Sequence, residues 1–343
     1  PLRRQRQMCI RDSDQTLLEM AVDGINHLND SYQGIKGQRP FYLFHRRRQW
    51  NPRENAWMGW ERKRGKLADF NRYLQEGYEK CFEKIIGDTD FLSKVRFVIT
   101  VDSDTVLPRD SANSLIATLA HPLNQAEFLE GSSKVVRGYS ILQPRTDVKP
   151  TSVNKTFFTR IFAGDLGLDL YTRAVSDVYQ DLFGEGIYVG KGIYDVEAFQ
   201  RSMKDVVPEN ALLSHDLFEG LHARAGLVSD IVFFEEYPPN YAAQVNRLHR
   251  WVRGDWQLLP WLFPRVPTNG EGKKRNPLSA IDLWKIFDNL RRSLLSPVTF
   301  ISLVFGWILF QEKSWVWTLF LLAVSAFPVI YHIVSSLSSK YLM

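Results

Sequence analysis

Phe97-Val98-Ile99-Thr100-Val101-Asp102-Ser103-Asp104-Thr105 reads as an apolar strand that runs straight into two carboxylates. Open α/β sheets bind ligands at the carboxyl ends of their strands. Asp102 and Asp104, two residues apart, direct both side chains to one side at that edge. Paired carboxylates suit a hard divalent cation, and a cation there points to a phosphorylated substrate. The competing reading is a pair of loop-capping aspartates after a strand.

The flanking segments alternate in kind. Residues 14–29 and 66–84 carry helical patterns and residues 41–45 a strand pattern; the acidic pair closes a strand at 95–101. A helix is expected over 111–120, strands over 135–142 and 227–235, and a helix over 246–261. Such alternation predicts an α/β domain. Residues 264–277, rich in Pro, Gly and Lys, read as a loop.

Composition narrows the class. With 343 residues, 45% hydrophobic and 13% aromatic, the chain is long and apolar enough to bury a substantial core. The net charge of +5 suits phosphate-bearing ligands or an anionic membrane surface, and the scatter of Lys and Arg speaks against nucleic acid as a partner. Cys9 lies in Met8-Cys9-Ile10-Arg11-Asp12-Ser13, which looks like a translated adaptor, so residues 1–13 are expected to be a non-native leader. Cys81 then stands alone and offers neither a disulfide framework nor a thiolate metal site.

The C-terminal part is of a different character. Residues 294–310 carry no charge, Gln311-Glu312-Lys313-Ser314 intervene, and a second uncharged run extends over 315–337. Two transmembrane helices joined by a tight turn are expected, with Trp307, Trp315, Trp317 and Tyr331 as interfacial anchors. Lys285, Arg291 and Arg292 crowd the entry to the first span, which places the preceding domain in the cytoplasm. Ile281, Trp284, Phe287, Leu290 and Leu294 recur at helical spacing, so residues 280–293 read as an amphipathic helix lying in the membrane interface, in contact with lipid.

Several clusters in the domain, taken as residues 14–279, ask for one explanation. Trp57-Met58-Gly59-Trp60-Glu61-Arg62-Lys63-Arg64-Gly65-Lys66 sets four cations and two glycines before a helix, where a diphosphate can be held. A solvated basic loop is the alternative. Glycines 184, 186, 190 and 192 stud an otherwise apolar, aromatic segment and permit close approach by a ligand or another backbone. Asp216, in Ser214-His215-Asp216, is either the cap of a following helix or a general base near a sugar hydroxyl. Arg247, Arg250 and Trp251 share a helical face, with guanidinium forks suited to phosphate and, at Trp251 and Trp256, flat indoles suited to sugar rings.

This ordered set resembles the processive, inverting family 2-like glycosyltransferases of the bacterial cellulose synthase type. More closely, Phe44 to Asn51, Trp57 to Lys66, Gly190-Lys191-Gly192-Ile193-Tyr194-Asp195 and His249 to Gln257 resemble the glycosyltransferase region of cyclic β-1,2-glucan synthases. The resemblance implies an A-type glycosyltransferase fold followed by the interface helix and a transmembrane hairpin, in a bacterial inner membrane. It implies that Asp102 and Asp104 hold Mg²⁺ or Mn²⁺ on the diphosphate of UDP-glucose, with Lys63, Lys66, Arg247, Arg250 and Trp251 binding the donor. Asp216 would deprotonate the attacking glucose 2-hydroxyl. Gly190, Lys191, Gly192 and Trp256 would line the path of the growing glucan chain. Arg247 stands where this family usually has Gln in its Gln-x-x-Arg-Trp signature. Relative to that family the chain is expected to be an internal piece of a synthase, without its first nucleotide-binding strand and other modules, and inactive alone.

Two other readings stay open on the residues. Asp102-Ser103-Asp104-Thr105 with Gly164-Asp165-Leu166-Gly167-Leu168-Asp169 also matches the haloacid-dehalogenase phosphatases, in which Asp102 would be a nucleophile. A noncatalytic, membrane-anchored sugar- or nucleotide-binding domain would keep the Trp and Arg residues and tolerate loss of Asp216.

Overall fold

Isoleucine, leucine and tyrosine side chains from neighbouring positions point to opposite faces of one sheet, and both faces are covered. The computed structural model describes residues 2–32, 39–52, 54–131, 133–163, 177–212, 216–268 and 272–341. The first part contains α1 (Leu2–Ser31), β1 (Leu43–Arg46), β2 (Arg48–Asn51), β3 (Ala56–Gly59), α2 (Arg62–Glu76), β4 (Phe82–Ile86), β5 (Phe97–Thr100) and α3 (Ser111–Ala120). Next come β6 (Glu127–Phe128), β7 (Val135–Arg137), β8 (Ile141–Val148) and three short helices, α4 (Pro150–Val153), α5 (Phe157–Phe162) and α6 (Val178–Phe183). The domain continues with β9 (Gly192–Asp195), α7 (Val196–Met203), α8 (Asp216–Ala223), β10 (Ala225–Glu235), α9 (Tyr241–Gln257), β11 (Arg265–Pro267) and β12 (Lys273–Arg275). Two long helices follow, α10 (Ala280–Leu309) and α11 (Ser314–Tyr341).

The central sheet has the order β10-β8-β9-β5. β10 and β8 run parallel, while β9 is antiparallel to both β8 and β5. Hence β5, β8 and β10 all point one way, and their carboxyl ends meet the start of β9 at one edge. Ile141, Tyr194 and Val98 pack on one face with Tyr73 and Leu74 of α2 and with Phe199 of α7. Leu142, Ile193, Phe97, Ile99 and Phe233 pack on the other with Leu115 and Leu119 of α3. A fully buried side chain of this size is worth roughly 1.5–3 kcal/mol in transfer free energy, so two-sided burial fixes the register of every strand.

The strand over 95–101 and the helix over 111–120 fall where the sequence pattern puts them, but other elements end differently. The helix expected over 66–84 is two elements. Gly77 turns left-handed (φ 66°), donates its N–H to Tyr73 O at 2.9 Å and stops α2, and Phe82–Ile86 then pairs with β1. The strand expected over 135–142 is broken at Gly138 (φ 66°), where a Cβ would lie 1.9 Å from Gln125 O. The helix expected over 246–261 starts earlier, because Asn240 Oδ1 accepts the Ala243 N–H at 2.9 Å and caps it at Tyr241. The expected loop over 264–277 contains the β11–β12 hairpin.

Contacts divide the chain into Pro1–Leu278 and Ser279–Met343. In the second unit, the segments expected as interface helix and first span form one continuous helix, α10, opened by a capping box between Ser279 and Asp282. Among the described residues α10 is the one helix long and apolar enough to cross a membrane, with a mean hydropathy of 1.5. A turn at Gln311–Lys313 leads into α11, which contains the second expected span. Trp317 of α11 donates to Ser302 O at 2.8 Å and fills the space left by Gly306, whose Cβ would lie 1.8 Å from the indole.

Within the sheet, Gly192 combines a φ of 146° with a Cβ position 2.2 Å from Leu142 O. Gly192→Ala is expected to destabilise the domain by about 2 kcal/mol or more, read as a lower urea midpoint at unchanged slope.

Candidate active site

The chain leaves β5 at Thr100 and makes a tight turn over Asp102–Thr105. Thr105 N donates to Asp102 O at 3.1 Å, and Asp102 N donates to Thr105 Oγ1 at 3.1 Å. Val106 then bridges across to Phe234 at the end of β10, N to O at 2.7 Å. This crossing lays Asp102 and Asp104 over the carboxyl edge of the sheet, where Glu235 ends β10 and Gly190-Lys191 lead into β9.

Asp102 is held from two sides. Lys63, in the first turn of α2, places Nζ 2.8 Å from Asp102 Oδ1 and 2.7 Å from Gly190 O. Lys191 Nζ lies 3.2 Å from Asp102 Oδ2 and 2.5 Å from Glu235 Oε1. Desolvation works to raise the Asp102 carboxyl, but hydrogen bonds and charge from Lys63 and then Lys191 outweigh it and hold the group below its ordinary value. Burial alone would lower Lys191; Glu235 and Asp102 overcome it and raise the ammonium above its ordinary value. Asp102 and Lys191 therefore stay charged near neutral pH.

Asp216 opens α8 against this cluster. A Cβ on Gly190, which has a φ of 85°, would sit 2.6 Å from Asp216 Oδ1, so glycine there lets the carboxylate meet the 190–192 backbone directly. The residue as a whole keeps partial solvent access, yet its carboxyl is enclosed by protein. Desolvation pushes it above its ordinary value, aided by Asp102 and opposed by Lys63 and Lys191. One helical turn on, Glu219 is buried, and desolvation followed by the Asp216 charge pushes it up to about 8. Near neutral pH Glu219 holds a proton, and the two buried acids do not both ionise. Tyr188, fully buried, lies beneath them with its hydroxyl 3.1 Å from Thr100 Oγ1; desolvation and then Glu219 raise it well above its ordinary value.

Arg247 on α9 joins the cluster through charge. Its guanidinium lies 5.4 Å from the Tyr237 ring and 5.0 Å from the Trp251 ring, and Nη2 donates to Gln244 Oε1 at 3.1 Å. Burial draws it below its ordinary value, while Tyr237, Glu235 and Asp104 work to raise it. Asp104, Arg250, Trp251 and Trp256 are exposed, as is Lys66, one turn beyond Lys63 on α2. The structure thus brings Asp102, Lys63, Gly190, Lys191 and Asp216 into one cluster and adds Arg247 and Asp104 at its rim. Lys191, expected on the acceptor path, is engaged by Asp102 and Glu235. Ser214, His215 and Gly164-Asp165-Leu166-Gly167-Leu168-Asp169 lie outside the described residues.

Sequence reading passed over Glu219, Glu235 and Gln143. Glu219 was signalled by its i+3 spacing from Asp216, and Glu235 by its place as a carboxylate ending an apolar strand. Gln143, fully buried, accepts the Val189 N–H through Oε1 at 3.0 Å and steadies the approach to Gly190, but nothing local to it in sequence signals this.

No group of three or more His, Cys, Asp or Glu side chains poised for a metal occurs among the described residues. Asp102 and Asp104 offer two hard carboxylates, the donor set of an ion such as Mg²⁺ that keeps waters and completes its shell with substrate phosphates. On that chemistry the residues fit the expected cation.

Because the native state retains a proton on Glu219 that the unfolded chain releases from its ordinary value of 4.5, stability declines as pH rises from about 4.5 to about 8 and levels off above. Glu219→Gln is expected to remove this slope, at most about 1.4 kcal/mol per pH unit, in urea unfolding at pH 5 to 9.

Residues 97–330 match the family described as glycosyl transferase family group 2. Over 312 residues, 90% of its length, the chain is 43% identical to the cyclic beta-(1,2)-glucan synthase NdvB of Rhizobium meliloti (strain 1021), and it spans 11% of that protein. Asp102 just beyond β5, Lys191 paired with it and Asp216 at the start of α8 all fall within the matched region, and the chain belongs to glycosyl transferase family group 2 as a glycosyltransferase.

Proposed function

We propose that the chain transfers glucose from UDP-glucose to a growing β-1,2-glucan with inversion at the anomeric carbon. The observation that carries this reading is the Asp216 carboxylate set against Gly190, beside the Lys63–Asp102–Lys191 cluster. One acid sits where an acceptor hydroxyl can be presented, and two ammonium groups sit where a diphosphate leaves. Asp216 accepts the proton of the glucose 2-hydroxyl as that oxygen attacks the anomeric carbon, and the bond to UDP breaks in the same displacement. A single displacement turns an α-linked donor into a β-linked product.

The other groups keep their places around that step. Lys63, Lys191 and the half-buried Arg247 face the developing negative charge of the leaving diphosphate. Mg²⁺ or Mn²⁺ bound by Asp102 and Asp104 would supply further neutralisation of that charge. Glu219, protonated beside Asp216, limits the negative charge buried there. Trp251 and Trp256 present exposed indoles suited to sugar rings, and the lack of a side chain at Gly190 lets its backbone meet Asp216 directly. The 2-linkage is drawn from the 43% identity to the R. meliloti glucan synthase.

The apolar α10 supports attachment to a bacterial inner membrane through α10 and α11, with Lys285, Arg291 and Arg292 favouring a cytoplasmic domain. The chain spans 11% of the similar synthase, and the partners proposed for it are the rest of such a synthase, with further membrane helices and a phosphorylase-like module.

Two assays separate the roles. UDP binding by the chain in Mg²⁺ or Mn²⁺, measured by calorimetry, is expected to weaken at least tenfold in Asp102→Ala and Asp104→Ala. Glucan synthesis is measured with the chain grafted into the matching segment of the similar synthase and supplied with radiolabelled UDP-glucose. Asp216→Asn is expected to lower it about 10²–10⁴-fold while UDP binding persists, with methylation analysis of the wild-type product giving 2-linked glucose. Phosphate release from small phosphoesters without glucan would overturn the reading and assign Asp102 to a phosphatase.

A further inference from the structure

Trp50, Trp57 and Trp60 crowd a short stretch of sequence, and the chemistry at Asp102 uses none of them. β2 and β3 pair antiparallel with Trp50 opposite Trp57, which sets the indoles edge to face at 6.0 Å, each close to half exposed. Between this hairpin and the turn at Glu209-Asn210 lies a shallow recess of about 70 Å³, open to solvent. That is well below the roughly 300–1,000 Å³ of pockets that enclose a ligand, so a ligand here rests against the surface, as one sugar ring does on an exposed indole.

The recess is a built feature. Trp60 Nε1 donates to Glu209 Oε1 at 2.9 Å, and Asn51 Nδ2 donates to Asn210 Oδ1 at 2.9 Å, so each wall is bonded to the other. Glu61 accepts the Asn210 N–H through Oε1. Asn55, Glu61 and Asn210 all hold left-handed backbone, with φ of 49°, 51° and 56°. Such conformations persist where surrounding structure fixes them, often at ligand sites. Arg253 Nη2 donates to Glu54 Oε1 at 2.7 Å, which ties the hairpin to α9, the helix that also carries Arg247, Trp251 and Trp256.

The lining decides the ligand. Trp50, Met58 and Trp60 give an apolar wall, and Gln49, Asn51 and Asn210 give amides. Glu209 is the one carboxylate, and none of the lining side chains is cationic. A diphosphate brought here would lose water and meet a carboxylate with no compensating cation. A neutral pyranose meets none of that penalty: its C–H face lies on an indole, and its hydroxyls exchange hydrogen bonds with amides that both donate and accept.

We propose that this recess is a glucan-binding subsite, distinct from the Asp102–Asp216 centre, that holds one glucosyl ring of the acceptor chain against Trp50, Trp60 and Gln49. The ligand assignment rests on the proposed reaction being glucan synthesis. The test is calorimetry on the 343-residue chain with a linear β-1,2-linked glucooligosaccharide and, separately, with UDP. Gln49→Ala and Trp50→Ala are expected to weaken oligosaccharide binding at least fivefold and leave UDP binding and circular dichroism unchanged, since both side chains are exposed. Unchanged oligosaccharide affinity in both variants overturns the subsite, as does absence of oligosaccharide binding by the unmodified chain when UDP still binds; the donor chemistry then stands. Failure of the unmodified chain to bind UDP overturns the proposed function and the glucan assignment with it.

Discussion

Asp102 accepts one lysine on each oxygen, and those lysines come from parts of the chain that are distant in sequence. Lys63 arrives from the first turn of α2 and Lys191 from the approach to β9, while Glu235 at the end of β10 takes the other side of Lys191. The pairing of Lys191 with Glu235 is largely buried, with side chains 12% and 7% exposed, and removing one partner of such a pair generally costs about 3–5 kcal/mol because a charge is left without its counterpart. The arrangement of α2, β5, β9 and β10 at one sheet edge is therefore bound up with the charge balance at Asp102.

That balance explains why glycine recurs at the same place. Lys63 also donates to Gly190 O, and Asp216 stands where a side chain on residue 190 would be. Gly192 brings β9 onto Leu142 O more closely than any Cβ permits. The backbone of 190–192 thus passes between β8 and α8 with no side chain in the way at either glycine, while Lys191 between them reaches the carboxylates. Buried acids follow from the same closeness. With Asp216 inside a wall of protein and Glu219 a turn behind it, desolvation retains a proton on Glu219 near neutral pH.

Much of the fold was legible because its signals are local. β5 announces itself by an apolar run ending in Asp, α3 by its boundaries at 111 and 120, and β10 by a long apolar run ending in Glu235. Two of the boundaries missed were set by single glycines. Gly77 stops α2 and Gly138 breaks the strand before β8, each through a left-handed turn that a neighbouring carbonyl or a crowded backbone requires. At the site, Asp102, Lys63, Gly190 and Asp216 were visible as residue types in suggestive places. Gln143 was not, because its role is a hydrogen bond across 46 residues of sequence, to Val189.

The sequence by itself determined the alternation of strands and helices, the apolar C-terminal helix and the identity of the chemically able side chains, because periodicity, residue type and motif order are properties of short stretches. Only the tertiary structure decided which of those side chains share a charge environment. Lys191 belongs with Asp102 and Glu235, Glu219 behind Asp216, and Arg247 near Asp104, because electrostatic coupling and desolvation depend on distances through the fold rather than along the chain. The same holds for the recess beside Trp60, whose two walls lie 149 residues apart in sequence and meet through one indole-to-carboxylate hydrogen bond.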